Sequence, residues 1–131
     1  MTGSIDDVMT IGVPVSDQDR ALAFYRDMLG FQPVRDVPLP ESGGRWIEVA
    51  PRSGSVTIAL VPTRPGLPVG IETGIRFATA DASAVHAELE ARGVDVEELL
   101  RWPGVPPMFA LRDPDGNRHQ IVQVASSRPA A

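Results

Sequence analysis

Two helix signatures recur in this chain at nearly the same interval, and that repeat limits the available folds more than any other feature. Asp17 precedes apolar residues at helical spacing (Ala21, Leu22, Phe24, Tyr25, Met28 and Leu29) that stop at Gly30. Asp81 precedes a second set (Ala82, Val85 and Leu89) that stops at Gly93. The two aspartates lie 64 positions apart and the two glycines 63, which is the mark of a duplicated structural unit. Each signature has a physical basis. An aspartate side chain can accept from the free N–H groups of a first helical turn, and glycine adopts the left-handed conformation that ends one. Ser16 and Asp19, three apart, add an approximate capping box to the first.

Around each helix the strand signals repeat as well. From Val8 to Val15 the residues alternate, with Ile11, Val13 and Val15 on one face and Thr10, Gly12 and Pro14 on the other. A helix from about Asp17 to Leu29 follows. Short β-type runs then span Phe31 to Val37, Arg45 to Ala50 and Val56 to Val61, separated by the turn clusters PLPESGG and PRSGS. Beyond the aperiodic stretch TRPGLPVG, the strand GIRFATAD leads into the second helix. Runs at about Val94 to Leu100, Met108 to Arg112 and Arg118 to Val124 complete the chain, the last two joined by the turn-forming Asp113-Pro-Asp-Gly-Asn117. The expected fold is α+β, a single domain of two βαβββ modules. Module 1 covers about residues 5–62, a linker 63–72, module 2 about 73–125, and a tail 126–131. One helix covers one face of a four-stranded sheet, so the other face needs a partner from the same chain or from a second subunit. The two sheets are expected to curve around a cavity.

Composition removes several functions. A chain of 131 residues can bury a core without staples, and the absence of cysteine excludes disulfides, thiolate nucleophiles and cysteine metal sites. A formal charge of −5 opposes a sequence-independent grip on phosphate backbones, so nucleic acid is not an expected partner. No apolar run approaches the roughly 20 residues of a membrane helix, and MTGSIDDVM carries acids where a signal peptide carries positive charge. A cytoplasmic protein is expected.

The segments GVPVSDQDRALAFYRDMLGF and FALRDPDGNRHQIVQ, set in this repeated plan, resemble the vicinal oxygen chelate superfamily. That superfamily holds glyoxalases, bleomycin-resistance proteins, ring-cleaving dioxygenases and fosfomycin-resistance enzymes. The likeness covers nearly the whole chain and implies the fold more narrowly than the activity. Its enzymes hold a divalent metal through His or Glu at four inward-facing positions. Matched to this sequence, those positions fall on Thr10, Ala59, Gly74 and Gln120. Imidazole and carboxylate lone pairs are missing from all four, and Ile58, Leu60 and Val61 beside Ala59 are no better. The resemblance therefore implies a metal-independent binder, similar to bleomycin-resistance proteins, with no catalytic residue and no cofactor.

Side-chain chemistry supplies the candidate ligand-binding residues Thr10, Trp46, Glu48, Arg76, Trp102, Met108, Phe109 and Gln120. Trp46 and Glu48 share a strand face opposite Ile47 and Val49, and Trp102 and Met108 bracket a proline-rich loop expected at the cavity mouth. Tryptophan, methionine and phenylalanine offer an apolar platform for a planar ligand, while Arg45, Arg76, Glu48 and Gln120 could orient its polar groups. Of the two histidines, His86 reads as a surface residue of the second helix, and His119 alternates away from Gln120. Asp113 and Asp115 read as turn formers, Phe24 and Tyr25 as core. The leading expectation is sequestration of a hydrophobic or aromatic natural product by a homodimer with composite pockets. A glyoxalase-type lyase, isomerase or dioxygenase, with a divalent metal held by His119, Glu48 or Glu72, is the alternative, and a filled scaffold the third.

Overall fold

The repeated aspartates cap their helices: Asp17 Oδ1 accepts from the Arg20 N–H and Asp81 Oδ1 from the Ala84 N–H, each at 3.0 Å. Gly30 and Gly93, at φ of +75° and +82°, turn the chain out of each helix. The computed structural model describes residues 3–125, so the expected tail 126–131 lies outside it. Eight strands and two α-helices run in the order β1 (Thr10–Val15), α1 (Gln18–Ala23), β2 (Gln32–Leu39), β3 (Gly44–Ala50), β4 (Thr57–Pro62), β5 (Glu72–Thr79), α2 (Ala82–Ala91), β6 (Asp95–Val96), β7 (Met108–Arg112) and β8 (Arg118–Gln123). They form two compact units that divide between Pro68 and Val69. Each unit contains one four-stranded mixed sheet, ordered β1-β4-β3-β2 in the first and β5-β8-β7-β6 in the second. In each the first strand runs parallel to the fourth, and the remaining pairs are antiparallel.

In the first unit, strand alternation sends Val13, Val15, Ile47, Val49, Ile58 and Leu60 to the face on which α1 packs, where Ala21 and Tyr25 are also buried. In the second, Ile75, Phe109, Leu111, His119 and Ile121 do the same beneath α2 with Ala82 and Leu89. Burying these side chains is the main stabilising term for each unit, at roughly 1.5–3 kcal/mol for each large one.

Several boundaries differ from the sequence expectation. The first strand starts at Thr10 rather than Val8, and Val8 and Met9 are exposed. The first helix is α-helical only to Ala23, and Phe24–Met28 continues as a π-helical turn. The expected strand Val94 to Leu100 shrinks to Asp95–Val96, followed by single pairings of Glu97 with Ala110 and of Leu100 with Met108. Its acidic residues and one-sided burial leave little to hold a longer ladder. The strand β5 begins at Glu72, within the expected linker.

Two side chains that look unremarkable in sequence each fasten strands within one unit. The Gln18 amide donates to the carbonyls of Arg45 (2.6 Å) and Leu60 (2.8 Å) and accepts from the Arg45 N–H, bridging β3 and β4 where their ladder has ended. Gly44 permits that approach, since a Cβ there would lie 3.0 Å from the Pro62 ring and 3.3 Å from Gln18 Oε1. Asn117, fully buried, accepts from the Gly70 and Ile71 N–H groups and donates to Asp113, fastening the start of β5 to the β7–β8 turn.

Candidate ligand-binding site

On the face of the first sheet away from α1, the register aligns Gly12, Ala59, Glu48 and Arg35 in one row across all four strands. Thr10 and Thr57 are neighbours in the next. Glu48 is only 7% exposed, yet satisfied. Thr57 Oγ1 donates to it at 2.6 Å and the Trp46 indole N–H at 2.6 Å, while Arg35 approaches to 3.8 Å. These hydrogen bonds, that of Thr57 foremost and then that of Trp46, hold the carboxyl below the usual glutamate range, so it is an anion at neutral pH. Because the single Thr57 proton goes to the carboxylate, the Thr10 hydroxyl, 2.7 Å away, is the donor of that pair. Thr10, Trp46 and Glu48, three residues expected at a site, are thus joined in one polar chain. Its groups bond to one another.

The corresponding face of the second sheet is graded from apolar to ionic. One row carries Ala78, Val122, Met108 and Leu100. The next carries Arg76, Gln120 and Ala110, with Glu97 beside Ala110. The third carries Glu72, Arg118, Arg112 and Asp95. In that third row Arg118 donates to Glu97 (2.8 and 3.0 Å) and Glu72 (2.7 Å), and Arg112 reaches Glu97 at 2.8 Å. Both glutamates are held below their ordinary range, chiefly by the Arg118 hydrogen bond. A hollow of about 230 Å³ opens over this face, lined by Leu100, Met108, Ala110 and Gln120 together with Glu97, Glu98, Phe109 and Arg118. The hollow beside the Leu39–Ser42 turn, about 470 Å³, is bounded only by the tip of the β2–β3 hairpin and gathers no convergent polar groups.

Other expected residues are placed differently. The Phe109 ring is turned to α2, edge-on to His86 at 4.9 Å and 1% exposed, so it belongs to the core. An odd position in a strand whose even positions face the hollow has no other choice. Trp102 is 61% exposed on the loop between Leu100 and Met108 and is not part of the lining. Arg45 is engaged by Asp36 and Asp19. His86 bonds the Glu97 carbonyl at 2.8 Å.

His119 is fully buried beside Phe77, with Nδ1 2.8 Å from Thr73 Oγ1. Thr73 Oγ1 also lies 2.8 Å from the Arg118 carbonyl, tying the ring to the backbone of its own strand. Desolvation pushes this histidine down to about 4, so it is neutral at physiological pH.

The four positions matched to the metal ligands do not fit a metal. Thr10 is bonded to Thr57, and the Ala59 side chain has no lone pair to offer. Gly74 sits at φ +73° in the irregular part of β5, and Gln120 offers a neutral amide. His119 and Glu72 are held by Thr73 and Arg118, Glu48 by Thr57 and Trp46. Among the described residues, no group of three His, Cys, Asp or Glu side chains converges as metal ligands do.

Comparison with known proteins agrees with this architecture. The family model described as the Glyoxalase/Bleomycin resistance protein/Dioxygenase superfamily matches residues 5–121. The crystal structure of TnmS3, an antibiotic binding protein from Streptomyces sp. CB03234, is 34% identical, with a TM-score of 0.82 over 94% of this chain and 99% of that one. A superfamily member from Sphaerobacter thermophilus DSM 20745 is 31% identical, with a TM-score of 0.84 over 92% of this chain and 98% of its own. The uncharacterized protein YetH of Bacillus subtilis (strain 168) is 28% identical over 86% of this chain and 94% of its own.

Proposed function

The chain belongs to the glyoxalase, bleomycin-resistance and dioxygenase superfamily, and on that premise we propose that it is a metal-independent binding protein that sequesters a hydrophobic or aromatic natural product in the cytoplasm. The observation that carries the reading is the hollow over the second sheet. Its floor combines the apolar side chains of Leu100, Met108 and Ala110 with the open amide of Gln120, and its charged neighbours Glu97 and Arg118 are bound to each other. Such a surface supplies buried apolar area and a few orienting polar contacts, which is what binding requires. The likeness to an antibiotic binding protein over nearly the full length supports the same reading. The mismatch between Thr10, Ala59, Gly74, Gln120 and any metal-ligand set supports independence from metal.

Each sheet has a helix on one face only, which supports assembly as a homodimer with pockets completed by the second copy. Light scattering at micromolar concentration checks this, and a monomer would remove the composite pocket. The binding reading is tested by thermal shift against a panel of aromatic natural products. A concentration-dependent rise in Tm is expected, and Ala110→Phe, which fills the hollow from its floor, abolishes the rise while leaving the apoprotein folded. No response from any compound, or an undiminished response in the filled variant, defeats the proposal.

A further inference from the structure

The binding reading leaves the ligand's chemistry open, and the second sheet narrows it. Among the charged side chains of β5 and β8, Glu72 and Arg118 bond to each other at 2.7 Å. Among the described residues Arg76 has no ion-pair partner within 4 Å; its charge is felt at Glu72, and its guanidinium makes a 3.3 Å contact with the Gly74 carbonyl two residues away. Register places it beside Gln120 on the same face, about 5 Å away between Cβ atoms. Gln120 lines the hollow, Arg76 stands just outside its lining, and among the described residues the Gln120 amide has no hydrogen-bond partner.

Two adjacent donor-bearing groups, one cationic and one neutral, therefore stand at the polar margin of an apolar row made by Ala78, Val122, Met108 and Leu100. The carboxylates that line the hollow are Glu97, which is bound to Arg118, and the exposed Glu98, so the positive charge of Arg76 is the one left to meet an anion. Resting on the binding function proposed above, we infer that the ligand is an organic acid with a flat apolar body, its carboxylate or phenolate held between the Arg76 guanidinium and the Gln120 amide. The guanidinium provides charge-assisted bonds to an acidic oxygen, and the amide N–H donates to the same group or to a neighbouring carbonyl.

The test titrates the full-length protein by calorimetry with matched two-ring and three-ring aromatics in three forms: carboxylate, primary carboxamide and methylammonium. The carboxylates bind about tenfold more tightly than the carboxamides, and the ammonium forms most weakly. Arg76→Met removes that tenfold preference, weakening the carboxylates far more than the carboxamides. Because Arg76 is exposed, this variant keeps its fold, and an unchanged apoprotein Tm verifies that. Gln120→Leu weakens carboxylates and carboxamides alike. Raising the salt concentration erodes only the carboxylate preference. Equal or tighter binding of the ammonium forms, or a carboxylate preference that survives Arg76→Met, overturns the inference and leaves the pocket standing. Failure of every probe, whatever its charge, overturns the pocket itself.

Discussion

Thr57 shows how much can depend on one hydroxyl. Its proton satisfies Glu48, a carboxylate only 7% exposed, and its oxygen receives Thr10. Thr57→Val keeps the shape and removes the donor, so the charge loses its leading hydrogen bond. Urea denaturation should find it less stable by about 1–3 kcal/mol, and the Glu48 carboxyl should titrate at higher pH than in the parent. His119 contributes a pH dependence of its own. Its folded pKa of about 4 lies below the ordinary 6.5, so between those values the unfolded chain binds the extra proton. The stability this burial preserves is complete above about pH 6.5 and drains away as pH falls toward 4, by roughly 3 kcal/mol in all. His119→Gln cannot take up the proton, so between pH 6.5 and 5, above the range where the carboxylates titrate, its denaturation midpoint should fall less than the parent's. A parent midpoint that falls no more than the variant's would show that the imidazole is not desolvated as described. Neither residue announces this in sequence. Alternation places Glu48 and His119 on opposite kinds of face, but only cross-strand neighbours far along the chain, Thr57 and Thr73, reveal how each is satisfied.

At the scale of elements, the caps and turns were the most legible parts. Asp17 and Asp81 act within three residues, as do Gly30 and Gly93, so local chemistry fixes them wherever the helices go. Asp17→Ala or Asp81→Ala should each cost about 1 kcal/mol by thermal or chemical denaturation. Strand ends were less legible because a ladder stops where its neighbour stops. Asp95–Val96 is brief although Val94 to Leu100 has a β-type composition. The β3–β4 ladder is replaced at one end by the amide of Gln18, a helical residue. Gly44→Ala tests that arrangement: the added methyl meets Pro62 at 3.0 Å and must displace the ring or the Gln18 bridge, which should destabilise by about 1–3 kcal/mol. An unchanged midpoint would mean that the β3–β4 end relaxes freely.

For the whole molecule, metal independence makes a simple prediction. Dialysis against a chelator should leave Tm and ligand affinity unchanged, and elemental analysis should find no stoichiometric zinc, nickel, iron or manganese. A bound equivalent of any of these would reverse the reading of Thr10, Ala59, Gly74 and Gln120. Among the described residues, no helix is long and apolar enough to cross a membrane. The duplicated plan, the two helices, the βαβββ succession of elements in each repeat and the family could all be read from residues near one another in the chain, because capping, turn chemistry and alternation act over a few positions. Which candidates meet could not. Alternation sends Phe109 and Met108 to opposite faces without saying which face is which, and the packing of α2 draws the Phe109 ring into the core while Met108 lines the hollow. Exposure of Trp102, the closed Thr10–Thr57–Glu48–Trp46 chain and the pairing of Arg76 with Gln120 depend on register between strands up to about 50 residues apart. Register is settled by the burial of whole faces at once, a collective quantity that no short stretch of residues contains.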